Sequence, residues 1–361
     1  MQDFLHKLQK ADYGITAQSR FSPETLRWVE LGLFPPYLEK DQAGLSLLGR
    51  NGKMLFNARY PEKIYTRVED IPPLIVATLL AIENREVLDP KYPRHNPAIE
   101  WDRLFKVALQ YPLSLLLNGR KAAGGSTLAT QLEKVRHSPD AVTLSVRDKA
   151  RQIASASLRA YLQGEATIEA QRRIVLQYLN SVPLAAVPGY GEVIGLAAGL
   201  RAWYGVEIDW INYVLDSRNF AQVDIHEKAR AYKQVLSLLL AQRRPTQLLM
   251  RDPDTLKSLT DTHLRTFARQ RMITGELRDV ALAVELDISA KPLRRKNVNF
   301  NELKTANNLR VLLAELLGMR SLYDLDRLDL QVETTIDHAA QQAVSTIFEN
   351  LSDAQWVAGA G

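Results

Sequence analysis

The segment GGSTLATQLEK, residues 124–134, is the stretch of this 361-residue chain that decides the fold class. Two glycines precede a Ser-Thr pair, which is typical of a helix N-terminus. On the following helix Thr127, Gln131 and Lys134 are four and three residues apart, so they share one face. Exposed amides, hydroxyls and a lysine one turn deeper suit an anionic phosphate ligand. The alternative, and from this segment alone the commoner one, is a capped helix with a solvated polar face.

The composition is that of an ordinary globular protein, with 46% hydrophobic and 24% charged residues. A net charge of +5 fits an anionic partner but does not choose between phosphate, a membrane surface and nucleic acid. The chain has no cysteine, which excludes a disulfide framework, a thiolate metal site and a cysteine nucleophile. It shows no apolar run of about 18 residues and no signal-peptide core. If the protein works outside the cytoplasm, we therefore expect its membrane anchor to be missing from this sequence. The ending WVAGAG, residues 356–361, leads us to expect a fragment of a longer protein.

Three regions follow one another along the chain. Residues 1–70 form a lead-in with a short hairpin, because the turn at residues 50–53 contains Asn-Gly between apolar runs. Residues 71–285 are mainly helical, and residues 286–361 contain a basic linker and the start of a truncated C-terminal region. The helical spacing is clearest at 99–117, 126–136, 145–162, 167–180, 192–204, 226–243 and 275–285. The last region is predicted to contain a helix at 301–317, a strand at 328–334 and a helix from about 337.

Glu83 ends an apolar helix in the segment AIENRE, residues 81–86. It directly follows residues typical of a core, and burial would favour the protonated form and tune the carboxyl group for general base catalysis. A surface glutamate at a helix end is the alternative, and it is the commoner situation for carboxylates.

The segment RDKARQ, residues 147–152, is a basic helix. Arg147 and Arg151 are four residues apart and project from one face, and guanidinium pairs match the geometry of a diphosphate. Lys149 lies about 160° away from that face in a regular helix. A solvated basic helix is the alternative. Further along, YLN at residues 178–180 followed by Pro183 and several glycines indicates a helix stop, a bent loop and a closely packed helix.

In this order the segments resemble the glycosyltransferase domain of class A penicillin-binding proteins and of monofunctional peptidoglycan polymerases, glycosyltransferase family 51. Members of that family carry AIED, GGSTITQQ with a lysine shortly after, RKxxE, YLN and a glycine-rich segment. The counterparts here are AIEN, GGSTLATQLEK, RDKARQ, YLN and GYGEVIGLAAGLRAWYG. The resemblance covers residues 45–245 and extends to relatives of penicillin-binding protein 1C, among which glutamine also occurs at the glutamate of RKxxE. It implies a mainly α, lysozyme-like domain with core and jaw lobes, and small β-containing N-terminal and C-terminal extensions.

The resemblance also implies a mechanism and a set of site residues. Glu83 takes the position of the general base that deprotonates the acceptor sugar, and lipid II and the nascent glycan strand are the expected partners. Gln152 stands at the second catalytic position. Residues expected to contact the substrate are Ser126, Thr127, Gln131, Lys134, Arg147, Lys149, Arg151 and Asn180.

The expected surroundings are the periplasmic face of the bacterial cytoplasmic membrane, with other cell-wall synthesis proteins as further partners and no nucleic acid. The segment 104–117 falls where the jaw should contact the bilayer, and a buried core segment is an equally good interpretation of its hydropathy.

Two residues depart from the family pattern. Asn84 replaces the aspartate beside the base, and Gln152 replaces the glutamate of RKxxE. That glutamate implies a divalent cation, Mg²⁺ or Mn²⁺, but glutamine brings no negative charge, so no metal ligand is assigned. His95 lies near the family's motif-one histidine and is interpreted as structural. The chain contains neither Ser-x-x-Lys nor Lys-Thr-Gly, so the transpeptidase machinery is absent from it.

Three functions remain open at this point. The first is an active polymerase that uses lipid II, which is favoured by Glu83 together with the intact GGST segment. The second is a lipid II-binding scaffold without turnover, which is favoured by Asn84 and Gln152. The third is a lytic, lysozyme-like enzyme, which the GGST helix and the basic RDKAR segment disfavour because cleavage requires no grip on a diphosphate.

Overall fold

A computed structural model describes residues 2–14, 21–37, 39–100, 126–138, 142–188, 190–219, 222–290 and 300–351. The predicted jaw segment 104–117, the glycines at 124 and 125, and the linker at 291–296 lie outside these ranges. Helices dominate the described residues, as the sequence predicted. None of the described helices is long and apolar enough to cross a membrane.

The helices and strands are numbered in chain order. The helices are α1 Gln2–Lys10, α2 Pro23–Glu30, α3 Pro73–Glu83, α4 Leu128–His137, α5 Val146–Tyr161, α6 Ile168–Ser181, α7 Leu196–Tyr204, α8 Ile208–Leu215, α9 Ile225–Ala241, α10 Pro253–Arg269, α11 Gly275–Ala283, α12 Phe300–Leu317, α13 Leu322–Leu325 and α14 His338–Asn350. The strands are β1 Ala43–Leu48, β2 Met54–Tyr60, β3 Pro183–Val187, β4 Gly191–Ile194 and β5 Leu330–Glu333. Short 3₁₀ turns lie at Val68–Asp70 and Ser217–Asn219, and a π turn lies at Gln247–Arg251.

The smaller of two compact units combines both ends of the chain, 1–19 and 294–361, with residues 42–63. Strands β1 and β2 form the predicted antiparallel hairpin, and Gly52 takes the positive φ of 70° that its turn requires. Strand β5 pairs with β1 in parallel, so that Leu45 faces Leu330. Leu45 and Leu47 are fully buried and form the centre of this unit's core. The predicted regions 1–70 and 286–361 thus both contribute to one unit.

The larger unit comprises residues 20–41 and 64–293. Helix α9 is its central element, since most of its residues are buried and it packs against α3, α7, α8, α10 and α11. Helix α3 is apolar around its circumference, as expected for a helix enclosed by others. In the core between them, the hydroxyl groups of Thr78 and Tyr232 lie 3.0 Å apart within hydrogen-bonding distance. This packing fixes the end of α3, where Glu83 lies.

The segment after α6 differs from its prediction. The sequence predicted a bent loop and a helix from 192, whereas β3 and β4 pair in antiparallel fashion and α7 begins at Leu196. Gly195 links β4 to α7 with φ of 84°, and a Cβ atom there would lie 2.5 Å from the carbonyl oxygen of Asn180. The predicted close packing is therefore confirmed, and it holds the C-terminal end of α6 in place.

Candidate active site

Glu83 is the last residue of α3, and only 3% of it is exposed. Its Oε2 accepts a hydrogen bond of 2.8 Å from Nε2 of Gln131 on α4. Its Oε1 accepts one of 2.7 Å from Nε2 of Gln242 and one of 3.0 Å from Nε of Arg243. Three side chains from two other parts of the chain therefore hold one buried carboxylate, which is how a charged group is stabilised inside a protein.

Tyr178 on α6 binds the side chain of Gln131 and so helps to orient it toward Glu83. Its hydroxyl donates a hydrogen bond of 3.1 Å to Oε1 of Gln131. Burial, together with the nearby charge of Glu83, raises the pKa of Tyr178 well above its ordinary value, so the phenol stays protonated and can donate. Because the Gln131 carbonyl is occupied in this way, its amide NH₂ points to Glu83.

The start of α4 is built as the sequence predicted. Thr127 is the N-cap, and its side chain accepts a hydrogen bond from the backbone amide of Thr130, which completes a capping box. Thr127 is 1% exposed. The structure therefore shows the Thr127 hydroxyl in a capping role, and its predicted contact with substrate stays a prediction.

Lys149 on α5 contacts the N-terminal end of α4. Its Nζ donates hydrogen bonds to the hydroxyl oxygens of Ser126 at 2.9 Å and Thr130 at 3.3 Å. Burial, with a smaller contribution from the positive charge of Lys134, lowers the pKa of Lys149 to about 8. Two lysines thus lie close enough to repel each other, which is the situation that a bound anion relieves.

A small cavity of about 30 Å³ lies beside Lys134 and beside two of the residues that bind Glu83. Its lining includes Gln131 and Lys134 from α4, Tyr178 from α6, and Gln242. Gln131 and Lys134 therefore line one cavity, as their predicted common face implies, and Gln131 also binds Glu83.

Gln152 lies one turn beyond Lys149 and is 1% exposed. Its Nε2 donates hydrogen bonds of 3.0 Å to the hydroxyls of Ser138 and Thr143, and its Oε1 accepts one of 3.2 Å from Thr143. Both amide atoms are thus occupied by neutral partners. The described residues include no group of three His, Cys, Asp or Glu side chains that could hold a metal ion. This donor set does not fit Mg²⁺ or Mn²⁺, which require anionic oxygen ligands.

The two arginines of α5 lie in different surroundings from Lys149. The guanidinium of Arg151 lies over the ring of Phe34, 4.1 Å from its centroid, in a cation–π contact. Arg147 is exposed to solvent. Their predicted contacts with a diphosphate stay predictions.

Asn180 is buried at the C-terminal end of α6. It binds the backbone of Tyr65, close to the point at which the chain returns to the larger unit. Its Oδ1 accepts a hydrogen bond of 2.8 Å from the backbone amide of Tyr65, and its Nδ2 donates one of 2.8 Å to the Tyr65 carbonyl and one of 3.1 Å to Asp41. The structure shows a positioning role for Asn180, and its predicted contact with substrate is untested.

Two further predicted positions lie just after α3. Asn84 is 1% exposed, and its Oδ1 accepts a hydrogen bond of 3.3 Å from the amide of Glu86. Nε2 of His95 lies 3.1 Å from a carboxylate oxygen of Glu86 and 3.2 Å from the carbonyl oxygen of Ile99. The interpretation of His95 as structural agrees with these contacts.

A second polar cluster lies on a neighbouring face of α4, where residues 34–37 and 39–41 contact that helix and α5. We call it the strap cluster, and its members are Glu39, Asp41, Glu133, Arg136, His137 and Arg159. Arg136 binds Glu39 at 3.2 Å and Asp41 at 2.8 Å, and Arg159 binds Glu133 at 2.7 Å. Although burial acts against it, the hydrogen bond from His137 and the nearby arginines hold the pKa of Glu39 below its usual value.

Sequence reasoning missed Gln242 and Arg243 and assigned no role to Tyr178. Gln242 and Arg243 follow α9, 159 and 160 residues after Glu83. The sequence around them contains no pattern that relates them to a carboxylate. Only the packing of α9 against α3 brings them to the site.

With this geometry in place, the comparison with known families is decisive for the class of protein. The sequence model of the family described as Transglycosylase matches residues 51–267, more than half of the chain. The chain belongs to this family, that of the peptidoglycan glycosyltransferase domain, and the predicted mainly α, lysozyme-like fold is confirmed. No curated protein matches the sequence.

Proposed function

We propose that this protein is an enzyme that polymerises lipid II into glycan strands by inverting transfer, with release of undecaprenyl diphosphate. The observation that supports the proposal is the hydrogen bond from Gln131 of α4 to the buried carboxylate of Glu83. Helix α4 also carries Lys134, and Lys149 of α5 binds the hydroxyl groups at the start of the same helix. A carboxylate that accepts a proton and cations that bind the leaving diphosphate are the two parts that such a transfer needs.

In the proposed reaction the carboxylate of Glu83 accepts the proton of the acceptor sugar's 4-hydroxyl group. The resulting oxygen attacks the anomeric carbon of the donor from the face opposite the diphosphate. As this bond forms, the bond from the anomeric carbon to the diphosphate oxygen breaks, and its electron pair leaves with undecaprenyl diphosphate. Lys134 and Lys149 stabilise the charge on that leaving group. No step runs through a metal ion, because Gln152 does not fit one.

The proposal places the protein at the outer face of the bacterial cytoplasmic membrane, where its lipid-linked substrate is used. The nascent glycan strand is the second substrate, and the jaw segment 104–117 is proposed as the part that contacts the bilayer. Other cell-wall synthesis proteins are proposed partners, and nucleic acid is not one.

The test is an incubation of the protein with labelled lipid II in detergent, followed by separation of the products by length. Glycan chains that appear with the wild type and disappear with Glu83→Gln support the proposal. If no Glu83-dependent chains form, the proposal is wrong.

The second candidate is a lipid II-binding scaffold, which is favoured by the neutral, fully hydrogen-bonded Gln152 at the second catalytic position. In that case the protein binds lipid II in an equilibrium assay while polymerisation stays at background. Robust polymerisation excludes this candidate.

A further inference from the structure

Gln242 and Arg243 reach the buried carboxylate of Glu83 from the chain after α9, outside every sequence motif discussed above. We propose that these two residues form a clamp that positions Glu83 for proton transfer, with Arg243 as its main positioning residue. The inference rests on the proposed function, because it assigns Glu83 the role of general base.

The clamp holds both the side chain and the backbone at the end of α3. Arg243 donates from Nε to Oε1 of Glu83 at 3.0 Å and from a terminal nitrogen to the carbonyl oxygen of Ile82 at 3.2 Å. A planar guanidinium that binds two acceptors fixes their relative orientation. The last carbonyl groups of a helix lack intrahelical partners, so a cation is also favourable at this end of α3.

The two carboxylate oxygens have different partners. Gln242 and Arg243 both donate to Oε1, whereas Gln131, on the helix that carries Lys134, donates to Oε2. The positive charge of Arg243 therefore lies beside Oε1, whereas the neutral amide of Gln131 lies beside Oε2, on the side of α4. We assign proton acceptance to Oε2, because the clamp keeps this oxygen toward α4.

Arg243 differs from Gln242 in a way that makes it the better residue to change. Gln242 is 8% exposed, whereas 60% of the Arg243 side chain is exposed. Truncation of Arg243 therefore leaves no internal cavity, and the variant is expected to fold. The adjacent Arg244 is also exposed and carries the same charge, so Arg244→Ala is the matched control.

A positioning role predicts a specific pattern in the kinetics with lipid II. Arg243→Ala is expected to lower kcat roughly ten- to a hundredfold, since small displacements of a reacting group are costly, while KM changes little. Arg243→Lys is expected to restore part of kcat, and Arg244→Ala to match the wild type.

The experiment is a double-mutant cycle with Arg243→Ala and Glu83→Gln, measured in both kcat and Tm. If Arg243 acts through Glu83, Arg243→Ala causes no further loss of kcat in the Glu83→Gln background. An equal loss in both backgrounds, or a loss confined to KM, overturns the clamp and places Arg243 on the substrate instead.

The Tm measurement separates failure of the clamp from failure of the proposed function. If even the wild type makes no glycan, the proposed function fails, and the clamp is judged on stability alone. It then predicts that Arg243→Ala lowers Tm by about 2–4 °C when Glu83 is present and by less when Gln replaces it. Equal shifts in the two backgrounds overturn the clamp whatever the activity.

Discussion

The strap cluster and the substrate cleft both include residues of α4, but their charges are balanced in different ways. By the cleft we mean Glu83, Gln131, Lys134 and Lys149. In the strap cluster Arg136 and Arg159 each bind carboxylates, so cations and anions are paired within the cluster. In the cleft the positive charge of Lys134 adds to the burial that lowers the pKa of Lys149, and neither lysine forms an ion pair with a carboxylate among the described residues. The difference teaches how to interpret a buried group of charged side chains. Such a group is structural when its cations and anions pair with each other, and it is a binding site when a ligand must supply the opposite charge.

The largest effect is expected from breaking the strap cluster. Arg136→Ala leaves Glu39 and Asp41, which are 13% and 10% exposed, without their shared cation. Removing one partner from a buried ion pair costs about 3–5 kcal/mol in the free energy of unfolding, which urea titration measures. Lys134→Ala, on the same helix, is the control and should change this free energy by less than about 0.5 kcal/mol. Equal losses would show that the two clusters do not differ.

Removal of a cation from the cleft should lower activity without lowering stability. Lys149→Ala removes a charged donor for the diphosphate, so kcat/KM for lipid II is expected to fall about ten- to a hundredfold. The Tm should stay the same or rise, because a cation that burial and Lys134 disfavour has been removed. Steady-state kinetics test the expected loss of kcat/KM, and thermal unfolding tests the expected Tm. A loss of Tm with unchanged kcat/KM would make Lys149 a structural residue.

A smaller effect is expected from pH. Because the pKa of Lys149 is lowered to about 8, this lysine is charged below that pH and becomes neutral above it. The value of kcat/KM should therefore fall about fivefold between pH 8 and pH 9 as the cation is lost. Lys149→Arg keeps its charge over this range and should lack the decline. The same decline in both proteins would assign it to another group.

The sequence predicted the parts of the site that short segments carry. Ser126, Gln131 and Lys134 follow from a capped helix with a polar face, and Glu83 follows from a carboxylate at the end of an apolar helix. Spacing along α5 also separated Lys149 from the arginines, and Arg151 does lie apart, on Phe34. Local pattern and helix geometry were sufficient for these assignments.

The remaining features depend on contacts between distant parts of the chain. Arg243 reaches Glu83 only through the packing of α9 on α3, and β5 pairs with β1 from the other end of the sequence. Thr127 and Asn180 belong to recognisable motifs, yet their hydroxyl and amide groups are bound within the protein. Helix α10 was not among the clearest predicted helices, because its apolar positions are sparse in a polar segment.

The central claim is that the cleft binds lipid II and that Glu83 carries out the chemistry there. The most direct test measures the single-turnover rate constant and the dissociation constant for lipid II, with wild type and Glu83→Gln side by side. We predict a rate constant lower by about a hundredfold or more in the variant, with a dissociation constant within about threefold of the wild type. Equal rate constants in the two proteins, or binding without turnover in the wild type, would contradict the account.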